Sequence, residues 1–143
     1  MPEHDEADRG EQTPAPTSPS AQIPRRIRAV GPGWQPVLAR LHDQLTALCP
    51  GYRLADVKEK LGGLRVYVDA LGSGERDAVR SLIKAAEAEA AVTCEFCGAP
   101  GRTRRRGDAP HGWLKTVCDS CHRAWSAHQI MLVNGSVWQR RST

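Results

Sequence analysis

Residues 94–121 read CEFCGAPGRTRRRGDAPHGWLKTVCDSC, in which two C-x-x-C pairs, Cys94/Cys97 and Cys118/Cys121, bracket a twenty-residue insert. The second pair runs on into His122, and C-x-x-C-H is also the attachment signature of a c-type haem, while a single C-x-x-C can serve as a redox couple. Haem attachment leaves Cys94 and Cys97 without a role, and a redox pair is expected beside a βαβ pattern that is missing here. The spacing instead fits a four-cysteine zinc site. A two-residue gap lets a tight turn aim both sulfurs at one ion, and two such knuckles complete a tetrahedron with Zn–S bonds of about 2.3 Å. The expectation is one structural Zn²⁺ held by Cys94, Cys97, Cys118 and Cys121, with no haem, and an insert that returns as an antiparallel pair. That arrangement is a zinc ribbon over residues 93–125.

Four thiolates leave no open coordination position for water or substrate, so a metal bound there is structural. The deaminase pairing of H-x-E with P-C-x-x-C is missing, since neither C-x-x-C follows a proline, and protease-type H-E-x-x-H is absent from the sequence. No catalytic residue is assigned. A nuclease using the ribbon as a scaffold is the weakest of the functional readings, since "HRAWSAHQIMLVN" matches the required histidine pattern poorly. His122 is expected as a first-turn helix residue, His111 in a loop and His128 on a helix surface.

Upstream of the cysteines the patterning changes. Trp34, Val37, Leu38, Leu41, Leu45 and Leu48 recur at three- and four-residue intervals, one face of a helix that Pro50-Gly51 ends. In "VKEKLGGLRVYVD" the apolar residues alternate on both sides of Gly62-Gly63, which predicts a β-hairpin whose turn uses the two glycines. Val79, Leu82, Ile83, Ala86 and Ala90 then mark a second helix rich in Ala and Glu. Cys49, at the end of the first helix, is expected as a small buried residue. Downstream, "DSCHRAWSAHQIML" predicts a helix with Trp125, His128 and Leu132 near one face, Asn134-Gly135 a turn, and "SVWQRRST" a short tail that either pairs or frays.

Residues 1–30 are rich in Pro, Ser, Thr, Asp and Glu without an apolar period, the composition of a disordered tail. The expected class is α+β: a disordered tail over 1–30, a helix–hairpin–helix body over 31–92, the zinc ribbon over 93–125, and a helix end and tail over 126–143. The polar, acidic start lacks the basic and apolar regions of a secretion signal, and no stretch of 18 apolar residues occurs. A cytoplasmic protein without a membrane partner is expected, in a compartment where thiols stay reduced.

Residues 1–24 carry five acids against Arg9, so the remainder must hold +8 to reach the overall +4. Four thiolates around one Zn²⁺ lower that remainder to about +6. The densest basic run, Arg102, Arg104, Arg105 and Arg106, falls in the insert, where a turn tip would project it outward. It is the candidate phosphate-binding element for DNA or RNA. The alternative is a protein–protein adaptor in which the arginines only offset the thiolates and keep the loop soluble. Lys58, Lys60 and Arg65, around the glycine pair, read as a solvated strand face.

Taken together, "VKEKLGGLRVYVD", the Ala/Glu helix and "CEFCGAPG…WLKTVCDSCH" resemble a group of small bacterial and phage proteins. In these, a K-E-K-x-G-G-L-R segment precedes two C-x-x-C pairs. The resemblance spans about residues 34–122. It implies that the four cysteines act as a unit and that the glycine-pair segment belongs to the same module, and it implies no activity.

Overall fold

The apolar period behind Trp34 forms a 14-residue helix, Gln35–Leu48, that buries Val37, Leu38, Leu41 and Leu45. Pro36 sits in its first turn, where a missing N–H leaves no helical bond unmade. The chain leaves the helical region at Cys49, which is half-buried against the core rather than fully enclosed. In the computed structural model, residues 21–69 and 73–141 are described. They comprise α1 (Ile23–Arg26) with a 3₁₀ turn behind it, α2 (Gln35–Leu48), β1 (Leu54–Lys60), β2 (Gly63–Val68), α3 (Ser73–Ala90) and β3 (Arg102–Arg105). A second 3₁₀ turn (Arg106–Asp108), β4 (Leu114–Val117), α4 (Asp119–Ser126), β5 (Ile130–Val133) and β6 (Ser136–Gln139) follow. The strands make three two-stranded antiparallel sheets, so the described chain mixes helices with small hairpins.

The largest core gathers Trp34 and the buried face of α2 with Tyr52, Val57 and Leu64 from the first hairpin and Val79, Ala86 and Ala90 from α3. A smaller cluster of Cys94, Phe96, Val117, Trp125 and Ile130 surrounds the cysteines.

Residues 21–30, assigned to the tail by composition, belong to the folded body; residues 1–20 lie outside the described part. Ile23 is fully buried, and its N–H donates to the Tyr52 hydroxyl at 3.0 Å. Gln22 Nε2 donates to the carbonyls of Pro50 and Tyr52 at 2.9 and 3.0 Å. One buried isoleucine is worth roughly 1.5–3 kcal/mol, and the Gln22 bonds satisfy two carbonyls of the loop that follows α2. Composition averaged over thirty residues does not register so sparse an anchor.

The first hairpin turns one residue earlier than its glycines suggest. Leu61 and Gly62 occupy the turn, with φ of 54° and 85°, and Lys60 pairs with Gly63. Placing a leucine in left-handed geometry costs about 1–2 kcal/mol, but the tip is set by what it touches. A Cβ at Gly62 would lie 2.9 Å from Thr103 Cγ2 and 3.3 Å from the Lys115 nitrogen. Thr116 Oγ1 donates to the Gly62 carbonyl at 2.7 Å, and Gly62 N–H donates to Glu59 Oε2 at 2.6 Å. The glycine that meets β3 and β4 is therefore Gly62, and Gly63 opens β2.

The C-terminal region also departs from expectation. The helix beginning at the second cysteine pair ends at Ser126, and residues 130–133 form a strand rather than its last turns. His128 leaves the helical region with a φ of 60°. Asn134-Gly135 is the turn, as its sequence implies, and of the two courses open to the tail Ser136–Gln139 takes pairing, as β6. The turn is fastened to the N-terminal part: Gln35 Nε2 donates to the Gly135 carbonyl at 2.8 Å, and Arg28 Nη2 to Ser136 Oγ at 2.7 Å.

Candidate metal centre

Each cysteine pair is shaped by its own local backbone. In the first, Cys94 N–H donates to the Ala99 carbonyl at 2.7 Å and Gly98 N–H to the Cys94 carbonyl at 2.9 Å, which curls residues 94–99 into a knuckle. Gly98 has a φ of 86°, a conformation glycine adopts without a Cβ penalty. The second pair sits where β4 gives way to α4. Cys118 caps that helix, its sulfur accepting the Cys121 N–H at 3.4 Å.

The two knuckles bring the sulfurs of Cys94, Cys97, Cys118 and Cys121 within 4.8 Å of one another. Cys97 and Cys118 Sγ are 3.7 Å apart. A tetrahedron with 2.3 Å metal–sulfur bonds has edges of roughly 3.8 Å, so the four cysteines are positioned to bind one metal ion. Cys94 is fully buried and Cys97 is exposed, which puts one corner in the small core and another at the surface.

Four sulfurs this close cannot all carry charge without a cation. Burial, reinforced by the neighbouring Cys94 charge, pushes the Cys121 thiol far up, and burial likewise raises Cys97. Cys118 is lowered: burial opposes its ionisation, but the Cys121 amide and the adjoining thiols donate to its sulfur and outweigh burial. A divalent cation removes that conflict by stabilising all four thiolates together.

The knuckle is bolted to the helical body. Gly33 N–H donates to the Glu95 carbonyl at 2.8 Å, and a Cβ on Gly33 would fall 1.9 Å from the Cys94 carbonyl oxygen. Trp34 Nε1 donates to the Thr93 carbonyl at 2.8 Å. The Glu95 side chain, buried between two cysteines in sequence, accepts Gly31 N–H at 3.0 Å and Lys115 Nζ at 3.2 Å. Burial raises its carboxyl, with Lys115 and the Gly31 amide working against that rise. Lys115 also lies 3.7 Å from Glu59 of β1, so one ammonium joins the first hairpin to the knuckle.

His122 is buried, and its Nε2 lies 2.9 Å from the Arg105 carbonyl and 3.5 Å from Asp108. It tethers α4 to β3 and stands apart from the sulfur cluster, which consists of the four cysteines alone among the described residues. His111 and His128 are both exposed.

The basic run does not project from a turn tip. Residues 102–105 are strand β3, and the turn lies beyond them at 107–112. Arg104 is nearly enclosed: its guanidinium donates to Asp119 at 3.0 Å and faces Asp108 at 3.4 Å. Arg106 donates from Nε to the Trp125 carbonyl at 2.9 Å and lies over the Trp125 ring at 5.3 Å. Arg105 donates to the Gly112 carbonyl at 3.0 Å, while Arg102 stays largely exposed, 4.0 Å from Asp119. The fold spends most of the run on its own structure.

A different set of cations is gathered elsewhere. In the first hairpin, Lys58 pairs with Arg65 across the strands and Asp56 with Tyr67, which places these residues with Lys60 on the face turned away from the core. Next to them, Arg76, Arg80 and Lys84 of α3 line a groove of about 520 Å³ between α3 and β2. Their four-residue spacing is visible in the sequence, where it passes for the ordinary polar face of a helix. The remaining conspicuous surface is apolar: Trp113 and Leu61 are 79% and 69% exposed and line one shallow pocket together.

Comparison of the chain with protein-family models, with curated proteins and with solved structures finds no match in any of the three, so its chemistry is argued from its own residues.

Proposed function

We propose that the chain is a non-catalytic zinc-binding module that works in association with nucleic acid. The observation that carries the zinc half is the sulfur cluster: four cysteines within 4.8 Å, with the one resolved Sγ–Sγ distance at the tetrahedral value. An all-thiolate set favours zinc among the common divalent ions and closes the coordination shell, so the ion folds the residue 93–125 ribbon rather than reacting. A reducing, cytoplasmic setting suits those thiolates. Among the described residues no helix is long and apolar enough to cross a membrane.

The nucleic-acid half is supported by charge. The formal balance is +4 even with five acids collected in residues 1–24, and a basic remainder attracts phosphate backbones irrespective of sequence. Metal analysis of the purified chain should return one zinc per molecule. Titration with random DNA and RNA over a salt series should give affinity that falls linearly with log salt. Absence of binding at low salt removes the nucleic-acid half and leaves the zinc half standing.

One observation favours a protein partner as the second reading. Trp113, beside Leu61, is a large aromatic left in solvent, and Met131, Val133 and Trp138 are half-exposed on the β5–β6 hairpin. Exposed aromatic and Met side chains of this kind are enriched at protein interfaces. Pull-down of a defined protein that Trp113→Ala abolishes, in a chain with no nucleic-acid affinity, is the result this reading expects.

A further inference from the structure

We propose that the outward face of the β1–β2 hairpin and the adjoining face of α3 form a binding groove for single-stranded nucleic acid. The assignment rests on the nucleic-acid reading above and relocates it away from the Arg102–Arg106 run.

The placement follows from register and periodicity. Lys58, Lys60 and Arg65 come to one side of the hairpin because Lys58 and Arg65 are cross-strand partners and Lys60 is two residues from Lys58. Arg76, Arg80 and Lys84 come to one side of α3 because four residues advance a helix by about one turn, roughly 6 Å along the axis. Tyr67 joins the two sets: it lines the α3–β2 groove with Val66, Val68 and Ile83, and Lys58 of the hairpin's outward face lies 5.8 Å from its ring centroid.

The charges in this groove are left over from folding. Arg76, Arg80 and Lys84 of the groove and Lys60 of the hairpin make no ion pair with any described residue, whereas Asp56, Glu59, Glu89, Glu95, Asp108 and Asp119 are paired with other cations. Four acids lie on or beside this surface, one of them exposed Asp77, three residues before Arg80 on α3. Asp56 pairs with Lys58 at 3.3 Å and Arg26 at 3.2 Å, Glu87 accepts the Val66 N–H at 3.1 Å, and Asp69 stands at the groove's end. Six cations of the hairpin and α3 therefore face four acids, Asp56, Asp69, Asp77 and Glu87, and Asp56 and Glu87 are already engaged. Cations at four-residue spacing repel one another along a helix, a cost that a bound polyanion reverses.

Two features select a single strand. Tyr67 is 47% exposed and presents a ring with Lys58 Nζ 5.8 Å from its centroid. An aromatic flanked by cations stacks an unpaired base while its neighbours hold phosphates, which a duplex with its bases paired inside does not permit. The free edge of β2 is meanwhile poorly suited to an added peptide strand. Glu87 occupies the Val66 N–H, and Arg65 Nη1 donates to the Leu64 carbonyl at 3.2 Å.

The test is fluorescence anisotropy of the full, zinc-loaded chain with short oligo-dT and oligo-U and a duplex control, over a salt series. Three variants are compared with wild type: Arg76→Gln/Arg80→Gln/Lys84→Gln, Lys58→Gln/Lys60→Gln and Arg102→Gln/Arg105→Gln. The α3 triple variant is expected to retain its zinc and helical signal. Losing three phosphate contacts should weaken single-strand binding on the order of 100-fold near ~50 mM salt and make the log–log slope shallower by about 2. The hairpin variant should lose affinity in the same sense, and the Arg102/Arg105 variant should bind as wild type does. If only the Arg102/Arg105 variant loses binding, the groove is wrong while the nucleic-acid reading survives. Tighter binding to duplex than to single strand overturns the single-strand assignment. No binding by wild type to any of the oligonucleotides sinks both.

Discussion

The run Arg102–Arg106 and the cations of the β1–β2/α3 face have similar composition, and the fold treats them in opposite ways. Arg104 is 17% exposed in its side chain and engages two carboxylates, and Arg106 is bonded to and stacked on Trp125. Arg76, Arg80 and Lys84 are exposed along a groove and meet no carboxylate within ion-pair distance among the described residues. A density of arginines in sequence therefore says little about which of them reach a ligand. What distinguishes the two sets is where the acids fall. Asp108 and Asp119 lie four and fifteen residues from Arg104 and fold back onto it, while the acids nearest the α3 cations, Asp77 and Glu87, make no ion pair with them, and Glu87 accepts the Val66 N–H instead.

The widest contrast between the regions is in what holds them up. The helical body has a core of its own built on Trp34, Leu38, Leu41, Leu45 and Leu64, whereas the cysteine-bearing region has only the small cluster around Cys94 and Trp125. Structural zinc contributes apparent free energies of about 10–16 kcal/mol in small isolated modules, far more than that cluster supplies. Chelation, or Cys94→Ser, should release the amides of β3, β4 and α4 to hydrogen exchange by at least ~100-fold, with α2 changing much less. Loss of protection in α2 and β4 together would instead make the two regions one cooperative unit, welded through Gly33, Trp34 and Glu95.

The metal centre was the most legible part of the chain because ligand chemistry is local. A two-residue gap fixes where two sulfurs point, whatever the rest of the molecule does. The hairpin was legible as an element but its turn was misplaced by one residue. Two adjacent glycines are equivalent in sequence, and the choice between them is made by Thr103 and Lys115, far downstream in β3 and β4. Residues 21–30 were hidden for a related reason, since Ile23 and Gln22 matter only once Tyr52 is beside them. The direction in which Arg102–Arg106 point was not legible at all, because the strand, not a loop tip, carries them. The α3 row was visible at positions 76, 80 and 84, but its meaning depends on a hairpin face that only the strand register assembles.

Substitution on the satisfied side separates the two sets by stability. Arg104→Ala removes contacts to Asp108 and Asp119 from a side chain that is mostly covered, and leaves those carboxylates beside one another's neighbourhood without their shared cation. Because both acids are well exposed, the loss should be modest, about 1–2 kcal/mol, read as a lower urea midpoint. Arg102→Ala, whose partner is 4.0 Å away across an exposed gap, should change the midpoint within ~0.5 kcal/mol. Equal effects of the two substitutions would mean that Arg104 is not the structural residue its contacts imply.

On the unsatisfied side the sign should reverse. Arg80 stands between Arg76 and Lys84 at four residues on either side and three residues after Asp77, so Arg80→Gln relieves two like-charge pairs and gives up one opposite-charge pair. Each such pair disfavours a helix by about 0.2–0.5 kcal/mol at low ionic strength, and glutamine is nearly as good a helix former as arginine. The variant should therefore be slightly more stable than wild type, by roughly 0.2–0.5 kcal/mol. The gain should shrink as salt screens the charges over a Debye length of about 10 Å at 0.1 M. A residue whose removal stabilises the free protein and weakens its hold on a polyanion is retained for the ligand and not for the fold. If Arg80→Gln destabilises the chain instead, and does so independently of salt, the α3 row has a packing role, and the contrast with Arg104 disappears.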